Sequence, residues 1–202
     1  MHARPRHLGL FVSLMISALS ASALPVHFGT YSPELQVADF DPATGALGGL
    51  RGAAALTNAS FLATSPDGRF LYAVAEGKPG GLFAFARAKD GALTPLNQAP
   101  SEGGGPCDIA VSPDGALVAA ANYGGGSAIV YRLREDGSIG EKAGFFQHTH
   151  FADVFPGRQK KPHAHGVTWS PDGKLLLVPD LGGDRVYVYS RDFATGAMAV
   201  HA

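Results

Sequence analysis

The chain has 202 residues, of which 46% are hydrophobic and 16% charged, and its formal net charge is −1. This near-neutral balance gives no support for nucleic-acid binding, since the one basic cluster is the short run 158–161. The single cysteine, Cys107, excludes an intramolecular disulfide. Beyond the N-terminal segment, no apolar stretch is long enough to span a bilayer.

The N-terminal segment has the composition of a secretory signal peptide. Basic residues precede an apolar stretch at 8–19, and the small residues at 21–23 fit a signal-peptidase site. The apolar stretch is short and interrupted by serines, which favours a cleaved leader over the alternative, a retained membrane anchor. The sequence therefore predicts a leader at 1–23 and a periplasmic or secreted protein that has no membrane attachment after cleavage.

Two turn signals then recur along the chain at matching intervals. The tetrapeptide Ser-Pro-Asp-Gly occurs at 65–68, 112–115 and 170–173, in steps of 47 and 58 residues. A glycine just ahead of an apolar position occurs at Gly45, Gly91, Gly137 and Gly196, in steps of 46, 46 and 59 residues. Because both signals lengthen in the same interval, they indicate one structural unit that is repeated, with an insertion in one copy.

Each complete unit is predicted to contain four short antiparallel strands. The first copy lacks an initial strand: 26–31 resembles a second strand, 35–40 a third, and 45–47 opens a fourth. The strands predicted in the second copy are 60–65, 69–75, 82–86 and 93–96. In the third copy they are 108–111, 117–121, 128–133 and a strand after Gly137. In the fourth they are 166–169, 175–179, 186–190 and a strand after Gly196.

Four strands in about 40 to 50 residues is typical of a β-propeller blade. The sequence therefore predicts an all-β chain that forms an incomplete arc of about four blades, whose predicted bounds are 24–57 (partial), 58–104, 105–161 and 162–202. A β-sandwich is the alternative, but a sandwich needs no repeated turn tetrapeptide. Since closed propellers hold about four to eight whole blades, we expect an N-terminal part of a longer protein or a truncated gene product, inactive by itself.

The candidate site residues collect at one end of the predicted blades. Neighbouring strands run in opposite directions, so the links from second to third strand share an end with the segments that lead into each first strand. The Asp-Gly turns lie at the other end. The polar residues sorted to the first end are Asn58, Ser60, Glu76, Cys107, Asp108, Asn122, Tyr123, His163, His165, Asp180 and Arg185. The insertion at 148–161 enters the same end, where propellers usually hold their sites.

His163 and His165 are two residues apart on a predicted strand, so their side chains are expected to point the same way. This spacing suits a metal pair, but a second set of ligands is not apparent in the sequence. In a structural alternative, both histidines donate hydrogen bonds to loop carbonyls. In the functional interpretation, His165 is a proton donor or acceptor, since imidazole titrates closest to neutrality.

The remaining candidates are proposed for substrate binding. Arg185 follows Gly182 and Gly183, which leave space above its guanidinium. It forms an ion pair with Asp180 or Asp184, or it clamps a carboxylate, phosphate or developing oxyanion. The full set of substrate-binding candidates is His163, Arg185, Asp180, Asn122, Glu76 and Arg158. The basic run around Arg158 favours a solvated loop over contact with an anionic substrate.

Several segments carry a family resemblance: Gly29-Thr30-Tyr31, 122–127, Arg158-Gln159 leading to 162–165, and 179–182 with 184–189. Together they resemble the seven-bladed lactonase family, which includes 6-phosphogluconolactonase and 3-carboxymuconate cyclase. The resemblance covers essentially the whole mature chain. It implies a site at the mouth of a seven-bladed ring, a small-molecule lactone as partner, and no metal or other cofactor. It also implies that the family's catalytic histidine corresponds to His165, whereas its arginine and glutamate motifs belong to a later blade.

The resemblance predicts a hydrolase that acts on a sugar or carboxylic-acid lactone. His165 would deprotonate the attacking water, and arginines such as Arg185 would stabilise the oxyanion. The predicted leader favours an unphosphorylated sugar lactone or an aromatic-acid lactone, because sugar phosphates are kept in the cytosol. The alternative is a non-catalytic propeller that binds a glycan or a protein at the same end, since surface-layer repeats also carry an Asn-Tyr-Gly turn like that at 122–124.

Overall fold

The computed structural model describes residues 23–77 and 79–201, and these residues form fifteen strands in four antiparallel sheets. The predicted leader, apart from Ala23, lies outside the described residues. Within the described part, every regular element is a strand, and nothing helical is long and apolar enough to cross a membrane. The all-β prediction is confirmed.

The sheets follow the predicted repeat. The first contains β1 (Leu24–Phe28), β2 (Glu34–Phe40) and β3 (Arg51–Ala55). The second contains β4 (Ala59–Thr64), β5 (Phe70–Ala75), β6 (Gly81–Arg87) and β7 (Leu93–Pro100). The third contains β8 (Pro106–Val111), β9 (Leu117–Asn122), β10 (Ser127–Leu133) and β11 (Ile139–Gln147). The fourth contains β12 (Thr168–Trp169), β13 (Leu175–Asp180), β14 (Arg185–Arg191) and β15 (Met198–Val200).

The sheets stand side by side as blades, because strands of the same rank are neighbours. The first strands β4, β8 and β12 contact one another in order, and the last strands β3, β7, β11 and β15 do the same. This arrangement brings the same end of every sheet to the same side of the molecule. The predicted partial propeller, with three strands in its first blade and four in each of the others, is confirmed.

Several strands differ from their predicted bounds by a few residues, and hydrogen bonds accompany two of these differences. The last strand of the first sheet begins at Arg51 instead of at 45–47, where Leu47 forms only an isolated bridge with Phe40 and the N–H of Gly48 donates to the carbonyl of Asp39 at 2.8 Å. β12 has only two residues, since the N–H of Val167 donates to the carboxylate of Asp108 in the third sheet at 2.8 Å. The second difference ties two neighbouring blades together.

The core lies between the sheets, and the middle strands of the second and third sheets are largely buried on both faces. All six residues of β9 are buried. Leu117, Ala119 and Ala121 face the fourth sheet, while Val118 and Ala120 face the second. Strands covered on both faces appear in a sequence as continuous apolar runs without polar alternation. Polar side chains are therefore confined largely to the strand ends and the links.

The Ser-Pro-Asp-Gly turns share one hydrogen-bond pattern. In the third sheet, the Ser112 hydroxyl donates to Asp114 at 2.6 Å and accepts the N–H of Leu117 at 2.9 Å. Gly115 has φ +73°, in the left-handed region that glycine adopts without a steric penalty. The turns that begin at Ser65 and Ser170 repeat these contacts. The recurrence of this tetrapeptide is explained by a turn that satisfies its own polar groups.

We predict unequal costs for alanine at two equivalent turn glycines. Gly45 and Gly137 have φ +74° and +80°, but a Cβ at Gly45 meets nothing within 4 Å, whereas one at Gly137 overlaps the ring of Phe70. Gly45→Ala should lower the free energy of unfolding by about 1–2 kcal/mol, the cost of left-handed backbone. Gly137→Ala should lower the free energy of unfolding clearly more, because its Cβ also collides with the Phe70 ring. Urea unfolding monitored by circular dichroism measures both, and equal losses would contradict the proposed packing effect.

A second prediction concerns the stability of the fold at low pH. Hydrogen bonds from the Ser65 hydroxyl and from Arg69 lower the pKa of Asp67 to about 2, and a bond from Ser170 lowers the pKa of Asp172. A lowered folded-state pKa means that the carboxylate's contribution to stability is complete above the ordinary aspartate pKa of about 4 and is lost as pH falls towards 2. We expect the melting temperature to drop in that window, and Asp67→Asn to flatten part of the drop.

The matched control for this acid effect is Asp184→Asn, at the opposite end of the blades, which should leave the pH dependence unchanged. Thermal melts between pH 5 and 2 measure this pH dependence. If the melting temperatures of the parent protein and of Asp67→Asn fall identically with pH, the turns are not the acid-sensitive element.

Candidate active site

A hollow of about 760 Å³ opens at the end of the blades opposite the Asp-Gly turns. Its walls come from the links β1–β2, β5–β6 and β9–β10 and from the segments that lead into β8 and β12. The side chains that give it chemical character are Tyr31, Glu76, Cys107, Tyr123, Lys161 and His165. The predicted end of the blades is thus where a concave surface forms.

His165 is held by its backbone and leaves its side chain exposed in this hollow. Its N–H donates to the carbonyl of Pro179 at 2.9 Å. The imidazole lies edge-on to the ring of Tyr123, with 5.2 Å between ring centroids. Among the described residues, nothing hydrogen-bonds to the imidazole nitrogens. The ring is therefore free to bind a water molecule or a substrate.

The carboxylate of Asp108 lies close enough to His165 for their charges to interact. It accepts the N–H groups of Val167 and Ile109 at 2.8 and 2.9 Å. Burial raises the pKa of Asp108, while these two hydrogen bonds and the nearby His165 act in the opposite direction. Asp108 is therefore a half-buried carboxylate beside the exposed imidazole of His165.

The opposite wall of the hollow carries a carboxylate and a phenol in contact. The hydroxyl of Tyr31 donates to Oε1 of Glu76 at 3.0 Å, which raises the pKa of Tyr31. Glu76 is anchored by its own N–H, which donates to the carbonyl of Asn58 at 2.9 Å. The ammonium of Lys161 donates to the carbonyl of Gly124 at 3.1 Å. The hollow therefore presents hydrogen-bonding groups of both charges.

Cys107 lines the same hollow as a neutral thiol. Its Sγ lies 3.7 Å from the carbonyl oxygens of Ala121 and Ala164. Burial, followed by the nearby charges of Asp108 and Glu76, raises the thiol pKa to about 11. Because the thiolate is the nucleophilic form, Cys107 is poorly suited to nucleophilic catalysis.

His163 has a structural role that the sequence had left open for both histidines. Its Nδ1–H donates to the carbonyl of Tyr123 at 2.9 Å, and its ring stacks on the ring of Tyr123 at 4.3 Å between centroids. The two histidines thus contact the same tyrosine, one face-on and one edge-on. The alternative of a hydrogen bond to a loop carbonyl describes His163 and does not describe His165.

Asp180 and Asn122, which we expected to bind substrate, are buried and turned towards protein partners. Asp180 accepts the N–H groups of His163 and Gly183, each at 2.8 Å. Asn122 donates from Nδ2 to the carbonyl of Ser101 at 2.9 Å. Neither side chain lines the hollow, because each is buried and bonded to other groups of the protein. Their geometry assigns them to the support of the site.

Arg185 and Arg158 lie at the expected end of the blades but outside the hollow. Arg185 is exposed at the start of β14, and its Nε donates to the carbonyl of Gly183 at 3.3 Å. No ion pair joins it to Asp180 or Asp184 in the described part of the chain. Arg158 instead borders a separate recess formed with Phe155 and Leu181. The expected convergence of Arg185 with His165 therefore does not occur within one cavity.

Two site features were missing from the sequence-based candidates. Tyr31 occupies the same phase of the repeat as Glu76 and Tyr123, so this phase alone could have identified it. His148 is buried against Asp180, 32 residues further along the chain, and no spacing pattern signals that contact. The residues that the structure describes contain no group of three or more His, Cys, Asp or Glu side chains that could hold a metal ion.

We predict slow alkylation of Cys107. A thiol pKa of about 11 instead of 9.0 leaves roughly 100-fold less thiolate at pH 8, so iodoacetamide should react far more slowly with the folded protein than with the chain in urea. Glu76→Gln removes a negative charge without narrowing the hollow and should accelerate the reaction. Mass spectrometry gives the rates, and an unaltered rate in this variant would contradict the electrostatic part of the explanation.

Comparison with known proteins gives one consistent result. The family described as lactonase, 7-bladed beta-propeller, matches residues 25–202. The 6-phosphogluconolactonase of Bacillus subtilis is 33% identical over 187 residues, which cover 86% of this chain and 51% of that protein. The periplasmic gluconolactonase of Pseudomonas aeruginosa superposes with a TM-score of 0.75 at 29% identity, over 90% of this chain and 55% of that one.

A crystal structure from Bacteroides uniformis superposes with a TM-score of 0.81 at 31% identity, over 90% of this chain and 54% of that one. The chain thus spans about half the length of the relatives that it matches. The family match extends over all four sheets and over the segments that form the hollow. On this evidence the chain belongs to the seven-bladed β-propeller lactonase family.

Proposed function

We propose that the protein hydrolyses a sugar or carboxylic-acid lactone bound in the hollow, with His165 as the general base. The observation that carries the proposal is the exposed imidazole of His165, which has no hydrogen-bond partner among the described residues and lies near the carboxylate of Asp108. Family membership and the names of the Bacillus and Pseudomonas relatives support the reaction type. Because the chain spans about half of those relatives, the activity is proposed for the protein as a whole.

The chemistry needs one proton acceptor and one source of positive charge. A ring nitrogen of His165 takes a proton from water as the oxygen attacks the lactone carbonyl, and Asp108 stabilises the resulting imidazolium. The tetrahedral intermediate then expels the ring oxygen, which receives the proton from His165, so that one water molecule is consumed and one hydroxy acid is formed. No metal or other cofactor enters this scheme.

Lys161 is better placed than Arg185 to stabilise the oxyanion. Its ammonium lines the hollow and uses one of its three N–H donors on the carbonyl of Gly124, so two remain. Arg185 and Arg158 would act only on a substrate that extends beyond the hollow. Glu76, held by Tyr31, is suited to accept hydrogen bonds from substrate hydroxyl groups.

We infer an unphosphorylated lactone as the substrate, met outside the cytoplasm. The sequence of the leader at 1–23 supports export, and one structural relative is described as periplasmic. The charges of the hollow agree with this inference: within its described lining, Lys161 is the one cation and Glu76 opposes it with a carboxylate. A phosphate group would gain little binding energy in this hollow, because the carboxylate of Glu76 offsets the charge of Lys161.

The test is lactone turnover by the purified full-length protein and by two histidine variants of it. We expect His165→Ala to lower kcat/KM for its best lactone at least about 100-fold, the usual contribution of a general base. His201→Ala, at the end of β15, is the matched control and should retain full activity. Glucono-1,5-lactone, its 6-phosphate and an aromatic-acid lactone form the substrate panel.

The outcomes of this assay distinguish the role of His165, the type of function and the class of substrate. Unchanged turnover in His165→Ala would remove this residue from the mechanism. Affinity for a glycan or a protein without turnover of any lactone would favour the alternative, a non-catalytic propeller. Preference for the phosphorylated lactone would overturn the inferred substrate class and leave the lactonase activity standing.

A further inference from the structure

Asp180 joins three separate segments of chain behind the wall of the hollow. Its Oδ1 accepts the N–H of His163, from the segment that leads into β12, and the N–H of Gly183, from the β13–β14 link. Its Oδ2 lies 2.5 Å from Nδ1 of His148, at the start of the insertion. The side chains of His148 and Asp180 are 1% and 0% exposed.

The ring of His148 is fixed on every side. Its Nδ1 must carry a proton to donate to the ionised carboxylate, and its Nε2 faces the hydroxyl of Tyr189 at 2.8 Å. The ring stacks on Tyr187 at 3.7 Å between centroids, and the backbone N–H donates to the carbonyl of Gly126 at 2.9 Å. Asp180 therefore meets a donor that cannot rotate away.

The carboxylate of Asp180 is kept in its charged form. Burial raises its pKa, but the hydrogen bond from His148 and those from the N–H groups of His163 and Gly183 outweigh this effect and hold the pKa below the ordinary value. A buried carboxylate with a polar partner is usually no more stabilising than apolar side chains of similar volume. Fold stability is therefore a poor explanation for this pair, and an effect on local geometry is a better one.

The contacts of Asp180 lead directly to His165. Next to the fixed N–H of His163, Ala164 forms a β-bridge with Asp180 itself. The N–H of His165 donates to the carbonyl of Pro179, one residue before Asp180. The ring of His163, in turn, holds the carbonyl and the ring of Tyr123, against which the imidazole of His165 lies.

We propose that His148 and Asp180 are positioning residues that set the backbone of the segment 163–165 and thereby the place of the His165 imidazole in the hollow. Since no described residue hydrogen-bonds to that imidazole, its place depends on its backbone and on Tyr123. The catalytic value of this arrangement rests on the proposed function, but the positioning itself does not.

Two substitutions of His148 distinguish the contact of its Nδ1 with Asp180 from the contact of its Nε2 with Tyr189. In His148→Asn, the amide nitrogen lies where Nδ1 was and can still donate to Asp180, while the contact with Tyr189 is lost. In His148→Gln, the longer amide reaches towards Tyr189 and the bond to Asp180 is lost. If positioning runs through Asp180, the Asn variant should behave like the parent protein and the Gln variant should not.

Amide hydrogen exchange measured by NMR gives a readout that is independent of turnover. In His148→Gln, we expect the amides of His163, His165, Leu181 and Gly183 to exchange at least about tenfold faster, as expected when a hydrogen bond to a charged group is lost. In His148→Asn, the same amides should stay within about threefold of the parent protein. Asp172→Asn, in the turn at the opposite end of the same sheet, is the matched control and should leave these amides unchanged.

Faster exchange throughout β13 and β14 in His148→Gln, or equal effects of the Asn and Gln variants, would reduce the pair to a structural role and overturn the proposal. If His148→Gln does not fold, Asp180→Asn supplies the same measurement. It keeps a carbonyl oxygen for His163 and Gly183 but removes the charge, so their amides should exchange faster because a neutral acceptor is weaker. Faster exchange at His165 is also expected, because the segment 163–165 is then held less firmly. Unchanged exchange there would likewise overturn the proposal.

The lactone assay adds a second readout. We expect His148→Gln to lower kcat about tenfold while KM changes by less than about twofold, and His148→Asn to restore kcat, since displacement of the imidazole affects the chemical step more than binding. Failure of the parent protein to turn over any lactone would contradict the proposed function alone. The exchange data would then still decide whether the pair positions His165.

Discussion

The middle strands of the second and third sheets are largely covered on both faces, and this constraint controls where chemistry can occur. β9 is buried over its whole length and packs against a neighbouring sheet on each side. A charged side chain within such a strand would lose its hydration without gaining a partner. Polar groups are therefore limited to strand ends and links, and the site forms where the ends of several sheets meet.

The two ends of the blades differ in what their polar groups do. At one end, the Ser-Pro-Asp-Gly turns satisfy their own hydrogen bonds locally, as in the turn that begins at Ser112. At the other end, polar side chains reach across sheets: Asp108 accepts the N–H of Val167, and His163 donates to the carbonyl of Tyr123. The contacts between sheets hold the walls of the hollow in register, so that the supports of the site also support the joints between blades.

The hollow combines one exposed imidazole with polar groups that neighbouring residues hold in place. The imidazole of His165 is exposed, the thiol of Cys107 stays protonated, and Glu76 is engaged by Tyr31. Beneath this surface, the ionised Asp180 and the fixed ring of His148 are hidden from solvent. The proposed division of work follows from burial: exposed groups contact the substrate, and buried groups determine where the exposed groups lie.

The repeat period, the turn chemistry, the number of strands in each sheet and the end of the blades where the hollow forms all followed from the sequence, because turns and strand direction depend on residues close together in the chain. The location of His165 at that end was likewise predicted from its phase in the repeat. The sequence could not show that Asp180 and Asn122 are buried, that Arg185 lies outside the hollow, or that His148 meets Asp180. Those facts depend on how closely packed sheets bring distant segments together, and contacts between distant segments leave no regular spacing in the chain.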